Sequence, residues 1–226
     1  EIQDVEDEID IEDLIDEEDC VYTLTHNGYI KRLPTAEYRA QGRGGKGVKA
    51  MATREEDYVE TVFTASTHDS ILFFTNLGKV YVRKGYRIPE AGRAARGQNI
   101  VNIIPTDPGE KVSAMIAGRG ISEDSYLVFV TRSGTVKRTA QSAFRNIRSN
   151  GIRALSLDEG DELITVLQTS GEDKILLATH DGMAICFNET DARAMGRDAV
   201  GVRGIRLREG DFVVGAGIAA EGSAIL

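Results

Sequence analysis

The chain of 226 residues carries 27 Lys and Arg against 36 Asp and Glu, a net charge of −9, and 41% of its residues are hydrophobic. That length and apolar fraction fit one large or two small folded domains and exclude a disordered chain; taken whole, the acidity argues against a nucleic-acid ligand. No apolar run approaches the roughly 20 residues of a membrane helix and no signal peptide heads the sequence. The two cysteines, Cys20 and Cys186, lack CxxC spacing and fit free thiols in a reducing cytosol.

Residues 1–19 hold 12 acids and no Lys or Arg, so the remainder of the chain is +3. The acidity belongs to a lead-in. Within it Ile11, Leu14 and Ile15 stand at i, i+3, i+4, which predicts one or two helical turns over Asp10–Glu18 docking an apolar stripe; the rest reads as a solvated linker. The sequence opens on Glu1, mid-pattern and without Met, which predicts a piece of a longer protein.

From Cys20 onward four segments share one plan, over about 20–68, 69–120, 121–170 and 171–220. Each begins with an apolar run ending in Thr: CVYTLT to Thr25, ILFFT to Thr75, LVFVT to Thr131, ILLAT to Thr179. A turn with Gly28, Gly78, Gly134 or Gly182 follows, then a second run: YIKRL, KVYVRK, TVKRT, MAICF. Two such runs around a short Gly turn predict a β-hairpin. A loop then ends at Gly47, Gly97, Gly151 or Gly201, and two further strand-like runs follow, VKAM and YVETVF in the first repeat, IVNII and KVSAMI, IRALSL and ELITVL, VRGIRL and FVVGAGI in the others. The hairpin glycines are 50, 56 and 48 residues apart. A unit of about 50 residues with four strands predicts an all-β, propeller-like array of four-stranded blades. Residues 221–226 read as the start of a fifth unit.

The positive charge is concentrated within each repeat. Windows from hairpin glycine to just past loop glycine hold Lys31, Arg32, Arg39, Arg43, Lys46 and Lys49; Lys79, Arg83, Lys84, Arg87, Arg93 and Arg96; Lys137, Arg138, Arg145, Arg148 and Arg153; Arg193, Arg197, Arg203 and Arg206. With only five acids among them the windows sum to +16, and everything else sums to −25. Equivalent positions of a repeat array lie on one rim, so a basic loop at each predicts a positive track for a phosphate backbone. Guarding of exposed strand edges explains pairs such as Lys31-Arg32 or Lys137-Arg138, but not why the acids avoid the same windows. A propeller that binds acidic proteins on that rim is the rival reading.

No catalytic constellation stands out. His26 and His180 share one slot before the turn and read as structural, and His68 precedes a strand; there is no HExxH, Cys cluster or Ser/His/Asp spacing. Paired acids such as Asp158-Glu159 and Asp161-Glu162 read as solvated turns. Tyr38, Tyr81, Tyr86 and Phe144 lie among the cations and read as packing under the loops rather than stacking on bases.

The sharpest loop is the first: Gln41, Gly42, Arg43, Gly44, Gly45, Lys46 and Gly47 put two cations among four glycines, which allow close backbone approach to a phosphate. It satisfies GxGxxG, but a strand follows instead of a helix, and Gly47 stands where a P-loop needs Ser or Thr, so a nucleotide site is excluded. QGRGGKG resembles the gyrase box of the C-terminal domain of DNA gyrase A, and the flanks LTHNGYIKRLPTAEYRAQ, STHDSILFFTNLGKVYVRKGYRIPEAGRAARG and RAMGRDAVGVRGIRL are similar to that family too. Gly42 stands where Arg is common. The corresponding domain of topoisomerase IV lacks the box or keeps a degenerate form. The resemblance implies a β-pinwheel, normally of six blades exchanging strands, whose basic perimeter wraps double-stranded DNA into a positive crossing. It also implies partners, the N-terminal part of the gyrase A protein and the gyrase B protein, a bacterial cytoplasmic location, and no cofactor in this domain, with ATP and Mg²⁺ used elsewhere in the holoenzyme.

Overall fold

The computed structural model describes residues 11–38, 57–118, 124–220 and 222. They belong to two compact units, one of Glu1–Ser70 with Lys84–Ile103, the other of Ile71–Arg83 with Ile104–Leu226. Among the described residues the only regular elements are strands and short 3-10 turns, so the chain is all-β. The first unit holds one antiparallel sheet built from β1 (Asp19–Thr25), β2 (Tyr29–Pro34), β3 (Val59–Ser66) and β6 (Gln98–Asn99) in the order β3-β1-β2-β6. Tyr22, Leu24, Ile30 and Leu33 are buried in it, and Tyr22 stacks on Phe63 with centroids 5.4 Å apart.

The second unit holds three sheets. The first runs β10-β5-β4-β7, from β4 (Ser70–Thr75), β5 (Lys79–Lys84), β7 (Val112–Ala117) and β10 (Ile152–Arg153). The next runs β11-β8-β9-β14, from β8 (Tyr126–Thr131), β9 (Thr135–Ala140), β11 (Leu163–Thr169) and β14 (Val202–Arg203). The third is β13-β12-β15, from β12 (Lys174–Thr179), β13 (Ala184–Asn188) and β15 (Val213–Ile218). Continuous apolar runs become strands covered on both faces: ILFFT and LVFVT are buried at every position. Phe74, Phe129 and Phe144 meet between the first two sheets at centroid distances of 5.5, 5.9 and 6.0 Å. Val128, Val130, Ile175, Leu177 and Val213 fill the space between the second and third.

One turn recurs in all four repeats. The buried Thr that ends the first strand accepts, on its hydroxyl, the backbone N–H four residues on: Tyr29 to Thr25 at 3.0 Å, Lys79 to Thr75 at 3.3 Å, Thr135 to Thr131 at 3.2 Å and Met183 to Thr179 at 3.1 Å. This is why each apolar run ends in Thr.

VKAM of the first repeat lies outside the described residues, and the third run of the other three departs from the sequence reading. It is not a full strand but two residues, and these pair with the second strand of the preceding repeat: β6 with β2, β10 with β5, β14 with β9. The remainder of the run turns away, and its apolar residues Ile100, Leu155 and Ile205 are buried. Ile100, Ala154 and Gly204 donate N–H bonds to the hairpin glycines Gly28, Gly78 and Gly134 of the preceding repeat. Repeats 2, 3 and 4 therefore each supply three long strands and lend a short one. Beside β13 there is no lent strand among the described residues. Residues 221 and 223–226, the expected fifth unit, lie outside the described residues.

The lead-in also differs. Ile11–Leu14 makes a single 3-10 turn, and Ile11 and Leu14 are 57% and 74% exposed, so no apolar stripe docks. The contacts are polar instead. The Thr67 hydroxyl donates to Asp16 O, the Thr67 N–H to Glu18 O, and the Ser66 hydroxyl to Glu17. A stretch with three apolar residues among so many carboxylates has more to gain from donors than from burial.

The seam between repeats predicts its own sensitivity. Gly201 has φ +118°, and a Cβ there meets Val136 O at 2.4 Å, whereas Gly210, φ +78°, has nothing within 4 Å. Gly201→Ala is expected to lower stability by about 2 kcal/mol or more and Tm by roughly 4–8 °C, with Gly210→Ala costing about 1 kcal/mol; thermal unfolding of both variants checks the difference.

Candidate nucleic-acid interface

The predicted cations divide by where their backbone puts them. Arg39, Gln41, Gly42, Arg43, Gly44, Gly45, Lys46, Gly47 and Lys49 lie outside the described residues. Of the others, four point inward. Lys31 and Lys137, each three residues after a hairpin glycine, are 1% exposed. Lys31 Nζ donates to the carbonyls of Gly92, Arg93 and Ala95 at 2.9, 3.0 and 3.0 Å. Lys137 Nζ donates to those of Ala154, Gly196 and Arg197 at 2.6, 3.2 and 2.8 Å. Burial pushes the Lys31 pKa down, and pushes that of Lys137 down to about 8.

Arg32 and Arg138 follow them. Arg32 Nε donates to Ile88 O at 2.9 Å, and its Nη1 meets Glu90 at 3.1 Å and Glu18 at 3.6 Å. Arg138 lies 3.7 Å from the buried Glu189 and over the Tyr126 ring at 4.6 Å. Glu189 also accepts from the Thr169 hydroxyl and from the N–H groups of Gly171 and Asp173. The sequence reading puts these Lys-Arg pairs on the rim; the structure corrects it. Alternation along β2 and β9 buries the lysine, and the long arginine stem lays its head against the start of the next loop.

Three more cations are committed to the fold. Arg83 donates to Ser149 O at 3.1 Å. Lys84 pairs with Glu12 of the lead-in at 2.9 Å and donates to His68 O. Arg96 lies 3.5 Å over the Tyr29 ring and 3.9 Å from Asp57. Arg87, Arg93, Arg145, Arg148, Arg153, Arg193, Arg203 and Arg206 are exposed, and Arg197 is half-buried. Arg93, Arg145, Arg148, Arg193 and Arg197 sit on the segment between a 3-10 turn and a loop glycine; two of these segments bridge the second strand of the preceding repeat, Glu90 with Arg32 and Ala194 with Arg138. The first unit contributes Arg93 and the second the other four. Tyr81 and Phe144 are buried beneath such segments, as their placement among the cations predicts.

Several residues without a role in the sequence reading shape this region. The acid before each outer strand is not a solvated turn residue. Asp161 accepts from Ser133 N–H and its hydroxyl and from Glu162 N–H; Asp57 accepts from Asn27 and Tyr58, and Asp211 from Asp181 and Phe212. For Asp57, burial raises the pKa, but the hydrogen bonds from Asn27, Thr25 and Tyr58 and the charge of Arg96 outweigh it, so the carboxyl titrates below the usual range. The available signal is the repeated Asp immediately before ELITVL, YVETVF and FVVGAGI. His26 and His180 stack on Tyr58 and Phe212 at 4.9 and 4.8 Å, the structural role their shared slot predicts. His180, Asp181 and Asp211 stand close together, and their donors and acceptors are used by this turn.

Replacing Glu189 by Ala leaves Arg138 a buried charge without a carboxylate and is expected to cost about 3–5 kcal/mol. Glu90→Ala removes a partner that is 48% exposed and should cost less than about 1 kcal/mol. Urea unfolding midpoints of the two variants measure the contrast.

The fold and the loops together define a class: a blade-repeat protein of the propeller type in which each repeat closes the sheet of the one before it and carries arginines beside the seam. The chain belongs to the family described as DNA gyrase C-terminal domain, beta-propeller, which matches residues 21–66, 69–118, 125–170 and 173–220. It is similar to the DNA gyrase A protein of Clostridium acetobutylicum, 51% identical over 203 residues, and to that of Staphylococcus aureus strain NCTC 8325, 52% identical over 213 residues. These alignments cover 90% and 94% of this chain and 24% of each relative, so the chain spans about a quarter of their length. Among solved structures it is similar to the C-terminal domain of a DNA topoisomerase IV (29% identity, TM-score 0.77, 92% of this chain and 63% of that one). It is also similar to a DNA gyrase A C-terminal domain (29% identity, TM-score 0.70, 89% and 65%). No helix among the described residues is long and apolar enough to cross a membrane.

Proposed function

We propose that this chain is a non-catalytic duplex-binding domain that wraps double-stranded DNA for a gyrase, imposing the positive crossing that negative supercoiling needs. The observation that carries the reading is the exposure of Arg93, Arg145, Arg148 and Arg193 on the corresponding segment of repeats 2, 3 and 4, where acids are few. Arginines on such segments replace condensed counterions, which gives affinity without base readout and a steep salt dependence. Bending 20–30 base pairs by 40–90° costs on the order of 1–6 kcal/mol; several loops each holding a phosphate offset that cost where one loop does not. The box at Gln41–Gly47 lies outside the described residues; in sequence register its Arg43 and Lys46 correspond to Arg93 and Arg96. Its intact pattern, with the gyrase A relatives at 51% and 52% identity, favours gyrase over topoisomerase IV.

On this reading the partners are the N-terminal part of the gyrase A protein and the gyrase B protein, in a bacterial cytoplasm, with ATP and Mg²⁺ used by the rest of the holoenzyme. The test is affinity against duplex length together with ligation of nicked plasmid in the presence of the chain. Binding that tightens with length and trapped positive crossings support wrapping; length-independent binding with no topological shift overturns it and leaves a scaffold for acidic proteins. Arg145→Ala with Arg148→Ala is expected to weaken binding to every duplex alike and to flatten the salt slope by roughly two units.

A further inference from the structure

We propose that Lys31 and Lys137 are positioning residues: each uses a buried ammonium to hold the arginine loop of the next repeat in the geometry that meets a phosphate. The proposal rests on the DNA-wrapping reading and extends it to two residues that touch no solvent. An ammonium has three donors, and both lysines spend all three on carbonyls. Among those carbonyls are the ones of Arg93 and Arg197 themselves, so the peptide that carries each cation is the peptide being held.

The carbonyl and N–H of a trans peptide point in opposite directions, and no described peptide is cis. Carbonyls of Gly92, Arg93 and Ala95 turned toward Lys31 therefore send the N–H groups of Arg93, Ala94 and Arg96 the other way. Carbonyls of Gly196 and Arg197 turned toward Lys137 send away those of Arg197 and Asp198. Successive N–H groups on one side of a loop make a concavity for an anion. The lysine thus sets both the arginine and the backbone donors beside it.

The same register in the other two repeats shows that the clamp is not a requirement of the fold. Tyr81 takes the position in repeat 2, with its hydroxyl on Pro105 O and Glu110. Ile185 takes it in repeat 4, 37% exposed. A hydrogen-bonded phenol or an aliphatic residue satisfies the strand.

The charge at Lys137 is responsive. Besides burial, Asp198 raises its pKa and Arg197 lowers it, and the Phe129 ring of β8 faces Nζ at 5.1 Å. A neutral amine keeps two donors, so deprotonation releases one of the three carbonyls. The effect on folding has the opposite sign. With a folded pKa near 8 and an unfolded value in the ordinary lysine range, the unfolded chain binds more protons between the two, and stability from this group rises with pH across that interval. Loss of DNA affinity without loss of stability is the signature of positioning.

The test compares the full chain with Lys137→Met, reading duplex affinity from pH 7 to about 9.5, thermal stability and amide hydrogen exchange over residues 196–200. The expected result is a several-fold affinity loss and a salt slope about one unit smaller at pH 7 for the variant, with faster exchange at the loop. The wild type is expected to lose a similar increment above about pH 8, while the variant's profile stays flat. Unchanged affinity in Lys137→Met, unchanged exchange, or a wild-type profile flat with pH overturns the proposal. If Lys137→Met does not fold, the wild-type pH profile and Lys31→Met, read at residues 92–96, carry the test. A wild-type chain that binds no duplex at pH 7 overturns the wrapping reading instead, and the exchange rates then decide whether the lysine holds the loop.

Discussion

A two-residue strand cannot hold a sheet together by itself, yet three of the four sheets are closed by one. What makes the closure possible is the glycine just before it. Gly97 and Gly201 sit in the left-handed region with the carbonyls of Ile30 and Val136 where a Cβ would go, at 2.4 Å in each case. Only hydrogen fits there. The lent strand then adds its few ladder bonds, and the apolar run behind it drops Ile100, Leu155 or Ile205 into the neighbour's interior. The rest of the fold depends on this seam. Because β4 and most of β5 sit with the later sheets, while the loop that follows them reaches back to β2, the two compact units divide repeat 2 between them. The unit boundary follows the exchange of strands and not the period of the sequence.

The same seam fixes what the loops can do. A segment anchored at one end by a 3-10 turn and at the other by a glycine lodged in the neighbouring sheet has little freedom left. The second strand of the preceding repeat adds the last constraint: at Lys31 and Lys137 as an ammonium on loop carbonyls, at Arg32 and Arg138 as guanidinium groups against the loop's entry. Binding that orders nothing keeps more of its contact energy. For a ligand that must be bent, preorganised contacts matter more than their number, since each loop that has to fold on binding subtracts from what the bend requires.

Much of this is legible in the sequence. The period, the hairpins and the terminal threonines follow from patterns of two and of about fifty residues, and the threonine has a visible task at each turn. Continuous burial of ILFFT and LVFVT can be read from the absence of polar alternation. What misleads is length: IVNII, IRALSL and VRGIRL are apolar runs of strand size, but a run that must cross from one sheet to the interior of another spends only two residues on pairing. The lead-in misleads in a similar way, since helical spacing of Ile11, Leu14 and Ile15 says nothing about whether carboxylates at Glu12, Asp16 and Glu17 meet better partners. The turn acids escape notice because an acid in a polar turn looks solvated; that Asp57, Asp161 and Asp211 each take an N–H from Asn27, Ser133 or Asp181 depends on a hairpin some 30 residues away.

Charge shows most clearly where sequence and structure part. The windows' +16 reads as one quantity, but it combines cations in three settings. Lys31 and Lys137 are held away from solvent, Arg32, Arg138, Arg83, Lys84 and Arg96 are engaged with carbonyls, carboxylates or rings, and Arg93, Arg145, Arg148 and Arg193 face outward. A sum over residues cannot separate them, because lysine's long stem reaches a buried carbonyl as readily as a phosphate. Two reasons bear on why acids are few in the windows: a carboxylate competes with the carbonyls for the clamping lysine, beside which Asp198 raises the pKa of Lys137, and on the proposed DNA-binding reading it repels the phosphate outside. The depletion of acids that pointed to a ligand is therefore also a condition for building the loop, and on the proposed DNA-binding reading the phosphates are met by the outward cations and the backbone N–H groups beside them.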